Sequence, residues 1–336
     1  MNVSAFQDWL FRSVVVGGAA AACVMLCPAG WRVRVRQVVP VTAFGVLIAL
    51  AAGLVRPLPS FEMRAPEIVT RWTAAAGDWM APWLMWAFAA VALIFLARTA
   101  AGASAVSRLV RQSRLVHGHA WRSSLDECQR TLGLRGQVRV LLAGPGFVPS
   151  ATGLFRRTVL LPDEAADWTH AQRRLVLLHE LGHFRRGDLW THALGEIACA
   201  VHWFNPFVWM LHRHLALERE FACDALVIAR GAEPQDYAAL LWKMGVEASR
   251  PRLASVACLA MAAPGRGKLE RRVLRILAPV RDAGLCLRVA DSALCLGGAA
   301  LLVMCASFKP TLAATARWTP QEINARLSAD PFPGER

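Results

Sequence analysis

Three apolar runs open the chain, at about residues 13–30, 38–55 and 79–97. Each is close to the ~20 residues that cross a bilayer as one helix. Hydrocarbon leaves such a segment almost no other conformation, because its backbone N–H and C=O groups have no water to bond. A fourth run covers residues 289–308, with Asp291 near its start. Hydrophobic residues make up 55% of the 336, and the mean hydropathy is +0.36. That excludes an ordinary soluble protein and leaves room for a membrane part plus one further domain.

Arginines set the expected orientation. The first short loop carries Arg32, Arg34 and Arg36, and the stretch after the third run carries Arg98, Arg108, Arg111 and Arg114. Between runs two and three, Arg56, Arg64 and Arg71 are interspersed with Glu62, Glu67 and Asp78. The two denser basic segments belong on the cytoplasmic side. Trp79, Trp83 and Trp86 then form a belt at the outer end of the third run. A signal peptide would carry its positive charges ahead of the apolar run, whereas here they follow it. The expected organisation is a multi-pass protein of a bacterial-type inner membrane with its amino terminus outside. Residues 1–98 hold three transmembrane helices, 99–288 a cytoplasmic domain, 289–308 a fourth transmembrane helix and 309–336 a short exported tail.

A formal charge of +14 and a pI near 10.5 fit arginine facing anionic lipid. Membrane lipid is therefore an expected partner, and no direct binding of nucleic acid is expected. The nine cysteines form no C-x-x-C pair. Cys128, Cys199, Cys223, Cys258 and Cys286 fall in the reducing compartment, so neither disulfides nor cysteine ligands are expected.

Residues 179–183 read His-Glu-Leu-Gly-His. On a helix His179 and His183 lie one turn apart on one face and can share a zinc ion, with Glu180 placed to act on the water beside it. The flanks support a helix: Thr169 and Gln172 have capping-box spacing, Gly187 fits a C-cap, and Leu175, Leu178 and Phe184 are available for burial. A third ligand is offered by Glu220, with Asp224 one turn on as an acidic supporting partner. Glu218 competes, but it points about 160° away and lacks an Asp one turn further.

Residues 189–211 are apolar enough to resemble another span. Were they to cross once, Glu220 would finish some 30 Å from the two histidines. Asn205-Pro206, an N-cap followed by Pro at the first helical position, resolves this. One helix of about 189–203 leaves the site and a second of about 206–230 returns, giving a helical hairpin at 189–230 that is either buried in the domain or re-entrant. Upstream, residues 99–133 look helical and arginine-rich. Residues 138–142 and 158–161 read as short strands joined by turn-rich Gly144-Pro145-Gly146 and Ser150 to Gly153. A short sheet before a zinc helix commonly offers an edge for an extended peptide.

The strings TGLFRRTVLLP from Thr152, HELGHFRRGD, WFNPFVW, EREFACD, DYAALL and LERRVLRIL occur in that order. Together they resemble the zinc metallopeptidase domain of BlaR/MecR-type membrane sensors over about residues 100–280. The resemblance implies a mainly α, polytopic membrane protein with a gluzincin-type zinc metallopeptidase domain, helical with a short β-sheet. It implies Zn2+ held by His179, His183 and Glu220, Glu180 as the base and Asp224 in support. Those sensors continue into an extracellular penicillin-binding domain, and no S-x-x-K, S-D-N or K-T-G string is present here. The expected function is a membrane-embedded zinc endopeptidase that cleaves itself or a cytoplasmic transcriptional repressor, with an unknown sensor as a further partner. A housekeeping protease for membrane proteins and a non-enzymatic signalling protein are the alternatives. Arg213 and His202, with His212 and His214, are candidate oxyanion donors, and Asp188 is a candidate for orienting the zinc helix.

Overall fold

Apolar sequence at the amino terminus forms two long helices, α1 (Val3–Leu26) and α2 (Val33–Ala51). The computed structural model describes residues 3–26, 33–52, 80–248 and 266–278, together with Leu302 and Ala306. A third helix, α3 (Met80–Gln112), runs for 33 residues. Among the described residues two stretches are long and apolar enough to cross a membrane, Asp8–Met25 of α1 and Met85–Gln112 of α3, while Gln37–Ala51 of α2 is a shorter apolar helix. Trp83, Trp86, Leu93 and Ile94 of α3 are exposed, the pattern of a helix that meets lipid. Of the expected fourth span, only Leu302 and Ala306 are described. Both are buried in the cluster that includes Val16 of α1 and Leu47 of α2. Residues 309–336 lie outside the described part.

The expected helix over residues 99–133 is divided in two. α3 stops at Gln112, the two-residue strand β1 (Arg114–Leu115) follows, and α4 (His119–Leu132) begins after Gly118. Pairing of β1 with Leu141 and Leu142, a contact distant in sequence, outweighs the local helix preference. The other strands are β2 (Arg139–Leu142), β3 (Ser150–Thr152) and β4 (Thr158–Leu161), in the order β1-β2-β4-β3. β2 and β4 are parallel, and the outer pairs are antiparallel. Ser150 to Thr152, expected as turn, is thus an edge strand. Gly153, at φ 89°, closes the turn back into β4, and a Cβ there would sit 2.0 Å from the Arg156 carbonyl oxygen.

β4 is buried throughout and lies in one core with α4 and with α5 (His170–Arg186). That core draws Trp121 and Leu132 from α4, Val159 and Leu161 from β4, and Leu177, Leu178 and Leu181 from α5. Thr169 and Gln172 form a reciprocal capping box at the start of α5, and Gly187, at φ 72°, ends it. α6 (Asp188–Val201) starts at the next residue. α7 (Pro206–Ala229) returns from an Asn205 cap that accepts the Phe207 N–H, with Pro206 at its first turn. α8 (Pro234–Ala248) and α9 (Arg266–Leu277) follow.

The bend between α6 and α7 is held by the amino-terminal helices. His202 Nε2 donates to the Leu47 carbonyl at 3.1 Å, His202 Nδ1 meets Ser13 Oγ at 2.7 Å, and Asn205 Nδ2 donates to the Ser13 carbonyl at 2.8 Å. Gly17 admits this bend, since a Cβ there would meet Asn205 Nδ2 at 2.8 Å. Every one of these polar groups is buried in protein, the condition under which irregular backbone is tolerated at membrane depth.

Candidate metal centre

α5 and α7 bring the three expected ligands together. One donor atom from each of His179, His183 and Glu220 lies within 4.8 Å of the others. His179 Nε2 is 3.5 Å from Glu220 Oε2, and His183 Nε2 is 3.8 Å from Glu220 Oε1. The helical period sets this arrangement: the two imidazoles sit one turn apart with ring centres 5.0 Å apart, and the carboxylate arrives from the returning arm of the hairpin. Glu218 is turned elsewhere, buried and 3.7 Å from His214 on its own helix.

The outer nitrogens of both imidazoles have acidic partners. His183 Nδ1 is 2.9 Å from Asp188 Oδ2, the residue that opens α6. His179 Nδ1 is 3.2 Å from Asp224 Oδ1 and 2.9 Å from Tyr237 Oη, and that hydroxyl donates to Asp224 at 2.7 Å. Carboxylates behind metal-binding histidines fix the ring orientation and make the inner nitrogen a better donor. Two imidazoles and one carboxylate, each imidazole so supported, fit a zinc ion by donor chemistry. Cys223 lies 3.4 Å from His183 Nδ1, and burial foremost, then nearby carboxylates, pushes its thiol well above the usual range.

A buried guanidinium completes the cluster. Arg272 of α9 donates to Asp224 at 2.9 and 2.7 Å, is 2.9 Å from Glu220 Oε2 and approaches His179 Nε2 at 3.4 Å. Burial opposes ionisation of Glu220, yet Arg272, followed by the two histidines, holds its carboxyl well below the usual range. The same balance of burial against Arg272 puts Asp224 at about 2. Burial also opposes charge on His179, but hydrogen bonds with Asp224 and Glu220 outweigh it and raise its pKa to about 10. Protons and a metal therefore compete for His179. Glu180 is buried, and burial lifts its carboxyl above the ordinary value against the pull of His179 and His183. A carboxylate so raised is a stronger proton acceptor.

The sequence-derived oxyanion candidates are not drawn into this cluster. His202 is committed to Ser13 and Leu47 at the hairpin bend. Arg213 is exposed, seven residues before Glu220 on α7. His212 pairs with Glu196 at 3.0 Å, and His214 faces Glu218. Tyr237 and Arg272, which touch the site, lie in the strings DYAALL and LERRVLRIL, where residue spacing alone gives neither a role.

A helix-borne His-Glu-x-x-His pair completed by a glutamate from a second helix is the ligand arrangement of a metallopeptidase. The chain belongs to the BlaR1 peptidase M56 family, whose profile matches residues 60–276. It is similar to the regulatory protein BlaR1 of Bacillus licheniformis, with 26% identity over 125 residues, 37% of this chain. The match spans only 20% of that relative's length.

Proposed function

We propose that this chain is a membrane-embedded zinc endopeptidase with a regulatory role, acting on itself or on a cytoplasmic transcriptional repressor. The convergence of His179, His183 and Glu220 beside a buried Glu180 carries the reading. Family membership and likeness to a protein named as regulatory support it. His179, His183 and Glu220 hold the metal, with Asp224, Tyr237 and Asp188 fixing the imidazoles. When bound, zinc polarises the scissile carbonyl and acidifies water at the site. Glu180 takes the proton from the attacking water and returns it to the leaving amine. β3, the sheet edge nearest the site in sequence, offers an edge to an extended peptide.

The ligand assignment is tested by metal content. Purified protein should lose its catalytic zinc in His183→Ala and Glu220→Ala and keep it in Glu218→Ala. Retention by Glu220→Ala with loss in Glu218→Ala would move the third ligand to the other carboxylate.

The proposed topology is multi-pass, with the metal site at the cytoplasmic end of the spans. Contacts along the hairpin support it. Gln37, at the start of the apolar part of α2, bonds Arg186 and the Glu218 carbonyl near the site, whereas Leu47, ten residues on, bonds His202 at the bend. On α3, Phe88 meets Trp203 and Phe95 meets Trp209. The hairpin lies beside the spans and is re-entrant. Its 14-residue outgoing arm reaches roughly 21 Å, less than the ~30 Å core of a bilayer. Reporters fused at Gly146 and at Gly231 should both be active in the cytoplasm, and one after Pro310 outside. An external signal at Gly231 with a cytoplasmic one at Gly146 would make the hairpin a true span and separate Glu220 from the histidines.

A further inference from the structure

A second set of donors with the same chemistry lies further along the hairpin. His192 and Glu196 are four residues apart on α6, hence on one face, and His212 comes from the antiparallel α7. One ligand atom from each falls within 4.8 Å of the others, as in the first cluster. The rings of His192 and His212 are stacked with centres 5.5 Å apart, and Glu196 Oε1 is 3.0 Å from His212 Nε2. The second oxygen of Glu196 takes a hydrogen bond from Thr99 of α3 at 3.4 Å, the kind of outer contact that orients a ligating carboxylate. His212 Nδ1 is buried with no hydrogen-bond partner among the described residues, so the polar contact of this ring with the donor set is made by Nε2. The backbone makes room for this ring at Gly195, where a Cβ would lie 2.4 Å from His212 Nδ1.

We propose that His192, Glu196 and His212 form a second divalent-metal site, of the zinc class, that ties α3 to both arms of the hairpin. Imidazole and carboxylate donors in a two-to-one ratio suit zinc and its neighbours and disfavour magnesium or calcium, which take oxygen ligands. The site is linked to the first by a continuous set of contacts. His192 Nδ1 is 3.3 Å from Arg219 Nη2, Arg219 Nη1 donates to the Asp188 carbonyl at 3.3 Å, and the Asp188 carboxylate holds His183. A metal on His192 competes with Arg219 for that ring. Occupancy therefore bears on Asp188, and through it on the orientation of His183. This proposal stands apart from the proteolytic reading, since it concerns residues which that reading does not use.

The test counts metal on the full-length chain, purified in lipid nanodiscs without a histidine tag, stripped with chelator and equilibrated in buffered micromolar zinc(II). Wild type should hold about two zinc ions, one for each set of two imidazoles and one carboxylate. His192→Ala and Glu196→Gln should each hold about one, and His183→Ala about one, with unchanged helicity by circular dichroism. One zinc in wild type that is lost in His183→Ala and kept in His192→Ala overturns the proposal, as does an unchanged count of two in both second-site variants. One zinc that is lost in His192→Ala and kept in His183→Ala upholds this site and defeats the first. Using both a histidine and a carboxylate variant guards against a single substitution that fails to fold.

Discussion

Glu180→Gln is expected to abolish proteolysis while leaving the metal in place. The substitution keeps the volume and helix of α5 but removes a buried carboxylate that neighbours the ligand set without being one of its converging donors. Burial raises the Glu180 carboxyl above its usual value, so the wild-type side chain is suited to accept a proton from water. A carboxamide cannot accept it, and loss of a positioned base costs on the order of 10²–10⁴ in rate. Zinc content should stay at the wild-type level, because Glu180 is not among the converging donors. The measurement is the pattern of cleaved proteins in membranes that carry each form, read beside zinc content of the purified chains. Cleavage at wild-type rate by Glu180→Gln would remove this residue from the chemistry, and loss of zinc would make its role structural.

Local signals in the sequence account for much of the site's framework, and the reason is short range. Thr169, Gln172 and Gly187 delimit α5 through capping contacts that span only a few residues, and Asn205-Pro206 marks the start of α7 in the same way. The spacing of His179 and His183, and of Glu220 and Asp224, reads directly as one helical face. What was not legible rests on partners that lie outside the segment itself. Ser150 to Thr152 has turn-forming residues around it and becomes a strand only by pairing with Thr158 to Leu160. β1 interrupts a helical, arginine-rich stretch because Arg114 and Leu115 find Leu142 and Leu141.

The site's other two members were hidden for the same reason. Tyr237 lies 58 residues after His179, and its available signals are that it is the sole tyrosine of the chain and that it falls in the string DYAALL. Arg272 lies 93 residues after His179, on a helix that also carries Arg266, Arg271 and Arg275. The string LERRVLRIL marks this segment, but with 38 Lys and Arg in the chain no local spacing separates the buried Arg272 from the exposed Arg271 and Arg275. His202 shows the converse. A histidine beside a proposed site invites a chemical role, yet two hydrogen bonds to α1 and α2 occupy both ring nitrogens.

Arg272→Ala is expected to destabilise the catalytic domain by about 3–5 kcal/mol, because it leaves buried carboxylates without their cation. Arg272 is itself buried and contacts both Glu220 and Asp224. Without it those two carboxylates, one turn apart on α7, face each other with His179, His183 and Tyr237 left to moderate the repulsion. Arg272→Lys keeps the charge but not the fork that meets Asp224 through two nitrogens, so it should fall between wild type and Ala. Removing Asp224 together with Arg272 should cost less than the sum of the single changes, the sign of direct coupling. Zinc should offset part of the loss in Arg272→Ala, since a cation held by Glu220 replaces some of the missing positive charge, so the variant's melting temperature should respond more to added zinc than that of wild type. Thermal unfolding of each purified form, with zinc and with chelator, measures all of these. Equal stability of wild type and Arg272→Ala in chelator would show that α9 is not held to the site through this guanidinium.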